Sequence, residues 1–177
     1  MVYDRAVADD SERPIPLSGA PFDGSPDRLA PAKRSRMGDR LVRFVEEVVG
    51  DDISGRIEKI QTHTNEVGHD PFGFDPGAGR YALAATALLH RRYFRSKVDG
   101  VAQVPTGRVL IVANHSGQVP IDGAMIGASL MLDRDPPRFP RSMVEKWTAE
   151  LPFVASLFPR LGQVVGTPDH ARRLLRN

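Results

Sequence analysis

The residues from 114 to 122 include the side chains best suited to moving a proton between reacting groups. His115 follows the apolar run 108–113, and Pro120 suits the first turn of a helix that would hold Asp122. An imidazole and a carboxylate in one neighbourhood form a general base and the group that orients it. A positioned base of this kind typically contributes about 10²–10⁴-fold to a rate. The alternative is that His115 caps a helix and Asp122 is a favourable first-turn acid.

Strands that alternate with helices are predicted to position this pair. The run 108–113, Arg-Val-Leu-Ile-Val-Ala, is typical of a strand buried on both faces, and a shorter strand is predicted over 101–104. Further strands are predicted within 139–144 and near 163–165, and helices from residue 120, within 147–158 and from residue 169. This order predicts an α/β domain with a mostly parallel sheet flanked by helices, with reactive groups at the carboxyl ends of its strands.

The preceding part of the chain lacks this alternation. Apolar residues recur at helical spacing over 37–49, a weaker helix is predicted over 53–64, and another over 81–94. Before them, five prolines interleaved with Gly, Ser and Asp preclude regular structure. We therefore divide the chain into a disordered Pro/Gly-rich tail (1–36), a helical, membrane-proximal segment (37–96) and the front part of an α/β domain (97–177).

Residues 97–177 resemble the glycerophospholipid acyltransferases, the lysophosphatidic acid acyltransferase-like family of phospholipid biosynthesis. The resemblance rests on these motifs: Asn114-His115 with Asp122, Glu145-Lys146-Trp147, Leu151-Pro152-Phe153 and Leu161-Gly162-Gln163-Val164-Val165. In the family the aspartate usually follows the histidine more closely than here, where six residues separate them. The resemblance implies that His115 deprotonates an acceptor hydroxyl, which attacks the thioester of acyl-CoA or acyl-carrier protein. It implies no covalent acyl-enzyme and no cofactor.

The resemblance also implies a set of residues that bind substrate. They are Asn114, Ser116, Gly117, Gly162, Arg172 and Arg173. Where the family commonly has an arginine for the acceptor phosphate, this chain has Gly166-Thr167-Pro168, so Arg172 and Arg173 are the nearest substitutes. They could equally be exposed helix cations. The family's later Glu-Gly-Thr-Arg-like motif does not occur before Asn177, so we expect a truncated domain with weak or no activity by itself.

A cluster of cations and aromatics ends the helix predicted over 81–94. It consists of Arg91, Arg92, Tyr93, Phe94 and Arg95. At a membrane surface the rings would seat among the headgroups, and each cation near anionic lipid would contribute about 1 kcal/mol. The alternative is a solvated helix end whose cations favour the C-terminal dipole. Because no apolar run approaches the ~20 residues that cross a bilayer and no signal peptide is evident, we predict a cytoplasmic protein peripheral to the membrane.

Composition excludes several other chemistries. The absence of cysteine excludes disulfides, thiolate zinc sites and a cysteine nucleophile. A net charge of +2 without a basic stripe gives no support for nucleic-acid binding. His63, His69, Asp70 and Asp75 match no established metal pattern, so no metal is predicted. Two alternatives to an acyltransferase stay open. One is a catalytically incomplete peripheral membrane or interaction protein. The other is a serine hydrolase using Ser116, although no Gly-x-Ser-x-Gly elbow surrounds that residue. The oligomeric state is not indicated.

Overall fold

The computed structural model describes residues 35–60, 70–115 and 119–176. The tail predicted over 1–36 therefore lies outside the described residues, except for its last two positions. The helices are α1 (Arg36–Val49), α2 (Ile53–Glu58), α3 (Pro76–Leu88), α4 (Ile121–Leu132), α5 (Val154–Arg160) and α6 (Pro168–Arg176). The strands are β1 (Met143–Val144) and β2 (Val164–Val165). A π-helical turn, Leu89–Tyr93, continues α3, and 3₁₀ turns occupy Val101–Gln103 and Lys146–Glu150.

Ser or Asp side chains cap the N-termini of the first three helices, where a side-chain oxygen can accept a hydrogen bond from a free backbone amide. Ser35 caps α1, the Asp52 carboxylate accepts from the Gly55 amide at 2.8 Å, and the Asp75 carboxylate accepts from the Gly77 amide at 2.8 Å. Gly50 ends α1 in the left-handed conformation with φ 78°. The helices predicted over 37–49 and from residue 120 are confirmed, and the one predicted over 81–94 is confirmed apart from its π-helical last turn.

The main hydrophobic cluster is formed by four helices, α1 to α4. Its buried members are Val42, Val45, Ile53, Ile57, Leu83, Ala84, Ala87, Ala128, Met131 and Leu132. The carboxyl half of α4 is therefore buried against the N-terminal helices, whereas its first turn lies nearer the surface. Because α4 is held at its far end, the side chains of its first turn project from a fixed scaffold.

The sheet is small and parallel. Met143 pairs with Val164 and Val144 with Val165, which confirms strands within 139–144 and near 163–165. The architecture is thus mixed and helix-rich, with a two-stranded parallel sheet among the described residues. No helix in the described ranges is both long and apolar enough to cross a bilayer.

Two predicted strands are wrong. Residues 108–113 form no regular secondary structure, and the Leu110 and Val112 side chains are 67% and 83% exposed rather than buried. Apolar β-branched residues form a strand only where a neighbouring strand accepts their backbone hydrogen bonds. In the described part of the chain, β1 and β2 pair with each other and not with this run. In the segment 101–104, Val101–Gln103 form a 3₁₀ turn that follows Gly100.

Candidate functional site

His115 and Asp122 meet at the first turn of α4. The His115 Nδ1 atom lies 2.8 Å from Asp122 Oδ1 and 2.9 Å from Oδ2. The same Oδ1 accepts a hydrogen bond from the Gly123 amide at 2.8 Å, which fixes the carboxylate against the first turn of α4. The side chains of His115 and Asp122 are 49% and 36% exposed, so the pair is open to a substrate.

The widened spacing does not prevent this pairing. The Ile121 amide donates to the Val119 carbonyl at 2.8 Å, so the chain turns tightly just before α4 begins. The first turn of the helix contacts His115, although six residues lie between the two side chains in sequence. Asn114 is described and exposed, whereas Ser116 and Gly117 lie outside the described residues.

The hydrogen bond determines which ring nitrogen can accept a proton. A carboxylate only accepts hydrogen bonds, so Nδ1 carries the proton that points to Asp122, and Nε2 presents its lone pair. An exposed histidine–carboxylate pair of this kind contributes little to stability. Its chemical value is orientation, because the carboxylate selects the tautomer and would stabilise the imidazolium formed when Nε2 takes a proton.

Three other predicted substrate-binding residues have local structural partners. Gly162 lies in the turn after α5 with φ 83°, and a Cβ at that position would overlap the Phe139 ring. Arg172 donates to Asp169 on its own helix at 2.9 Å, and the Arg173 guanidinium lies 5.5 Å from the centroid of the Phe72 ring. These contacts give each of the three residues a structural role. Their roles in binding substrate stay predictions.

Arg91 of the predicted membrane cluster is part of the internal structure. Its Nε lies 2.7 Å from Asp51 Oδ2, and its Nη1 lies 2.6 Å from Asp133 Oδ1. The hydrogen bond to Asp51 raises the pKa of the Arg91 guanidinium well above its usual value, although burial opposes the rise. Arg91 is thus held by two carboxylates of the protein. That it contacts a membrane stays a prediction.

In the rest of the cluster, one residue is hydrogen-bonded to the protein and three are exposed to solvent. Arg92 donates to the Val48 carbonyl at the end of α1, so its guanidinium is also engaged. Tyr93 and Phe94 are 72% and 44% exposed, and their rings pack edge to face with centroids 4.8 Å apart. Arg95 is exposed and has a left-handed backbone with φ 49°. The outward-facing part is thus an aromatic pair followed by one arginine.

A second His–Asp pair was not predicted from the sequence. The Nε2 atom of His90 lies 3.0 Å from Asp133 Oδ2, and His90 is fully buried. Asp133 thus holds both His90 and Arg91. The pair spans α3 and α4 at a sequence separation of 43, so no local motif could reveal it. Because the His90 ring has no access to solvent, it serves packing and cannot receive a substrate.

The acidic residues considered as metal ligands from the sequence, Asp70 and Asp75, have structural partners as well. The Asp70 carboxylate accepts from the Phe72 and Phe74 amides at 2.9 and 3.1 Å and pairs with Arg141. Asp75 caps α3, while His63 and His69 lie outside the described residues. Over 35–60, 70–115 and 119–176 no cluster of His, Asp or Glu side chains is arranged to hold a metal ion.

The chain is similar to proteins of mycobacteria. An uncharacterized protein of Mycobacterium leprae is 32% identical over 117 residues, which cover 65% of this chain and 32% of the relative. An uncharacterized protein of Mycobacterium tuberculosis is 30% identical over 118 residues, which cover 65% of this chain and 33% of the relative. The chain thus spans about a third of the length of the curated relatives it matches. No family model and no solved structure matches the chain.

Proposed function

We propose that this chain carries the acid/base centre of a glycerolipid-type acyltransferase. The observation that carries the proposal is the hydrogen bond from His115 Nδ1 to Asp122, which leaves Nε2 as the basic nitrogen. The exposure of both side chains supports it, because an acceptor hydroxyl must reach the imidazole from solvent or from a membrane surface. The acyl donor would be acyl-CoA or acyl-carrier protein, and the acceptor a glycerolipid-type alcohol.

The reaction requires one base and no covalent enzyme intermediate. His115 Nε2 removes the proton from the acceptor hydroxyl as its oxygen attacks the thioester carbonyl. A C–O bond forms, the C–S bond breaks, and the thiolate takes the proton back from the imidazolium. Asp122 holds Nδ1 throughout and offsets the positive charge on the ring.

The absence of cysteine makes the proposal simple to test. Thiol released from the donor can be followed with a disulfide reagent, because the protein itself contributes no thiol signal. We expect acceptor-dependent thiol release by the wild type, its loss in His115→Ala and its retention in Ser116→Ala. Loss in Ser116→Ala, together with an acyl-enzyme that forms in the wild type and not in Ser116→Ala, would instead favour the serine hydrolase. Thiol release that is unchanged in His115→Ala would refute the proposal.

A second candidate is a peripheral membrane or interaction protein of this family that lacks turnover. It is favoured by the engagement of Arg172 and Arg173 with Asp169 and Phe72, which leaves neither guanidinium wholly free for an acceptor phosphate. Absence of thiol release with glycerol-3-phosphate and lysophosphatidate, by a folded protein that still binds lipid vesicles, would favour this candidate.

The proposal also specifies the sheet and the location of the protein. The sheet is a mostly parallel one in which β1 and β2 would form one pair, and the location is the cytoplasmic surface of a membrane. The parallel register of β1 and β2 supports the first, and the exposed rings of Tyr93 and Phe94 support the second. Amide hydrogen exchange over 139–144 and 163–165 tests the sheet, because paired strand amides exchange more slowly than exposed ones. Rapid exchange in both segments would refute it.

A further inference from the structure

Helix α1 has two apolar faces, and only one of them packs against the protein. Val42 and Val45 are 1% and 5% exposed and belong to the core. Met37, Leu41 and Phe44 are 74%, 60% and 59% exposed. Their spacing of four and three residues places them in one stripe along the helix. An exposed apolar stripe on a folded helix indicates a surface that binds something.

A row of arginines borders this stripe. Arg36, Arg40 and Arg43 are all exposed, and their spacing of four and three residues aligns them along the helix. At 3.6 residues per turn the row lies on the side of the stripe that faces away from the core residues. Glu47 continues the same row, so the outward face carries three positive charges and one negative charge.

The other acidic residues of α1 lie on the side away from the stripe and have partners within the protein. Asp39 pairs with Arg80 of α3. Glu46 accepts a hydrogen bond from the Ser54 amide at the start of α2, at 2.8 Å. These acids stabilise the helix packing and leave the positive character of the outward face in place.

We propose that α1 lies in the plane of an anionic bilayer surface, with Met37, Leu41 and Phe44 inserted below the headgroups. The arginine row would then contact lipid phosphates, as in helices that bind membrane interfaces. Charge complementarity favours this occupant over a second copy of the chain. A symmetric dimer in which two α1 helices pack antiparallel through the stripe would bring the two arginine rows together, which costs energy. The proposal concerns binding alone and stands whether or not the chain transfers acyl groups.

The C-terminal end of α1 adjoins the aromatic pair. Arg92 donates to the Val48 carbonyl, so the turn that carries Tyr93 and Phe94 is held beside the last turn of α1. Tyrosine and phenylalanine rings suit the boundary between headgroups and acyl chains. In this proposal the stripe is the main contact, and the exposed rings of Tyr93 and Phe94 are a second one.

Sedimentation with lipid vesicles tests the stripe and the arginine row separately. We expect the protein to bind vesicles of phosphatidylcholine mixed with phosphatidylglycerol, more weakly as salt rises, and not phosphatidylcholine alone. Leu41→Ser with Phe44→Ser should lower the partition coefficient about tenfold or more. The matched control is Leu110→Ser with Val112→Ser, at exposed apolar positions outside α1. Arg40→Glu with Arg43→Glu should abolish binding, whereas Arg108→Glu, also exposed, should leave most of it intact.

A fluorescent probe locates the contact directly. The chain has one tryptophan, so Phe44→Trp in a Trp147→Phe background reports on α1 alone. We expect its emission to shift to shorter wavelength with anionic vesicles and to be quenched by lipids with brominated acyl chains. Circular dichroism checks that each variant is folded.

Three outcomes would overturn the proposal. They are a wild type that fails to bind anionic vesicles, control variants that lose as much binding as the α1 variants, and an unshifted Phe44→Trp probe. A stripe variant that instead converts a dimer to a monomer, without any change in lipid binding, would identify a second copy as the occupant. None of these readouts requires catalysis, so their failure is distinguishable from failure of the acyl-transfer proposal.

Discussion

Two histidine–aspartate pairs in this molecule show how burial decides what one chemical pair can do. His115 and Asp122 are hydrogen-bonded and half exposed, so the second ring nitrogen can meet a hydroxyl. His90 and Asp133 are also hydrogen-bonded, but the His90 ring is fully buried. Sequence spacing predicted the first pair because both residues lie close to one helix start. The second depends on how α3 packs against α4, which no local spacing shows.

The orienting role of Asp122 predicts a specific effect of replacing it with asparagine. The amide of Asp122→Asn can donate to Nδ1, which would place the proton on Nε2 and leave no basic nitrogen for the acceptor. We expect kcat to fall about 10²–10⁴-fold with little change in KM. The rate of thiol release at saturating donor measures kcat.

The matched control for this prediction is Asp99→Asn, an exposed aspartate outside the site. Its thiol release should equal that of the wild type. If Asp122→Asn turns over as fast as the control, Asp122 does not select the tautomer of His115.

At the level of elements, the helices could be predicted from the sequence better than the strands. The periodicity of α1 lies within its own 14 residues and its caps, Ser35 and Gly50, directly flank them, so a local pattern is sufficient to predict it. Residues 108–113 have the composition of a buried strand, yet they form no regular secondary structure and are mostly exposed. A strand is completed by hydrogen bonds from another segment, and composition cannot tell whether that segment lies alongside.

The turn between α5 and β2 predicts a strong effect at Gly162. Both Gly162 and Gly50 have left-handed backbones, with φ 83° and 78°, which costs a residue with a side chain about 1–2 kcal/mol. A Cβ at Gly162 would also overlap the Phe139 ring, whereas none of the surrounding atoms lies within 4 Å of a Cβ at Gly50. We expect Gly162→Ala to lower the free energy of unfolding by about 1–3 kcal/mol more than Gly50→Ala does.

Urea unfolding of the two alanine variants measures this difference. Equal losses would mean that the Phe139 contact relaxes without cost. Gly162 would then be available for the substrate-binding role predicted from the sequence, and the KM of Gly162→Ala would become the informative measurement.

At the scale of the whole molecule, one core spans the boundary predicted near residue 96. Ile53 and Ile57 of α2 pack in the same cluster as Met131 and Leu132 of α4. Arg56 adds polar contacts, since its Nη1 donates to the Met131 and Arg134 carbonyls at 2.9 and 3.0 Å. The division at residue 96 rests on a change of sequence pattern, which reports local structure and not which segments share a core.

A shared core predicts that the two segments unfold together. Ile53 is fully buried in the N-terminal segment, and removing its side chain to alanine should cost about 2–5 kcal/mol. Trp147, the one tryptophan, lies in the C-terminal segment and reports on it through fluorescence, while far-UV circular dichroism reports on the helices of both. In Ile53→Ala the urea midpoints of both signals should fall to the same lower concentration. In the control Leu41→Ala, at a 60% exposed position, both midpoints should stay nearly unchanged. A fluorescence midpoint that stays at the wild-type value while the dichroism midpoint falls would show that the segments are independent domains.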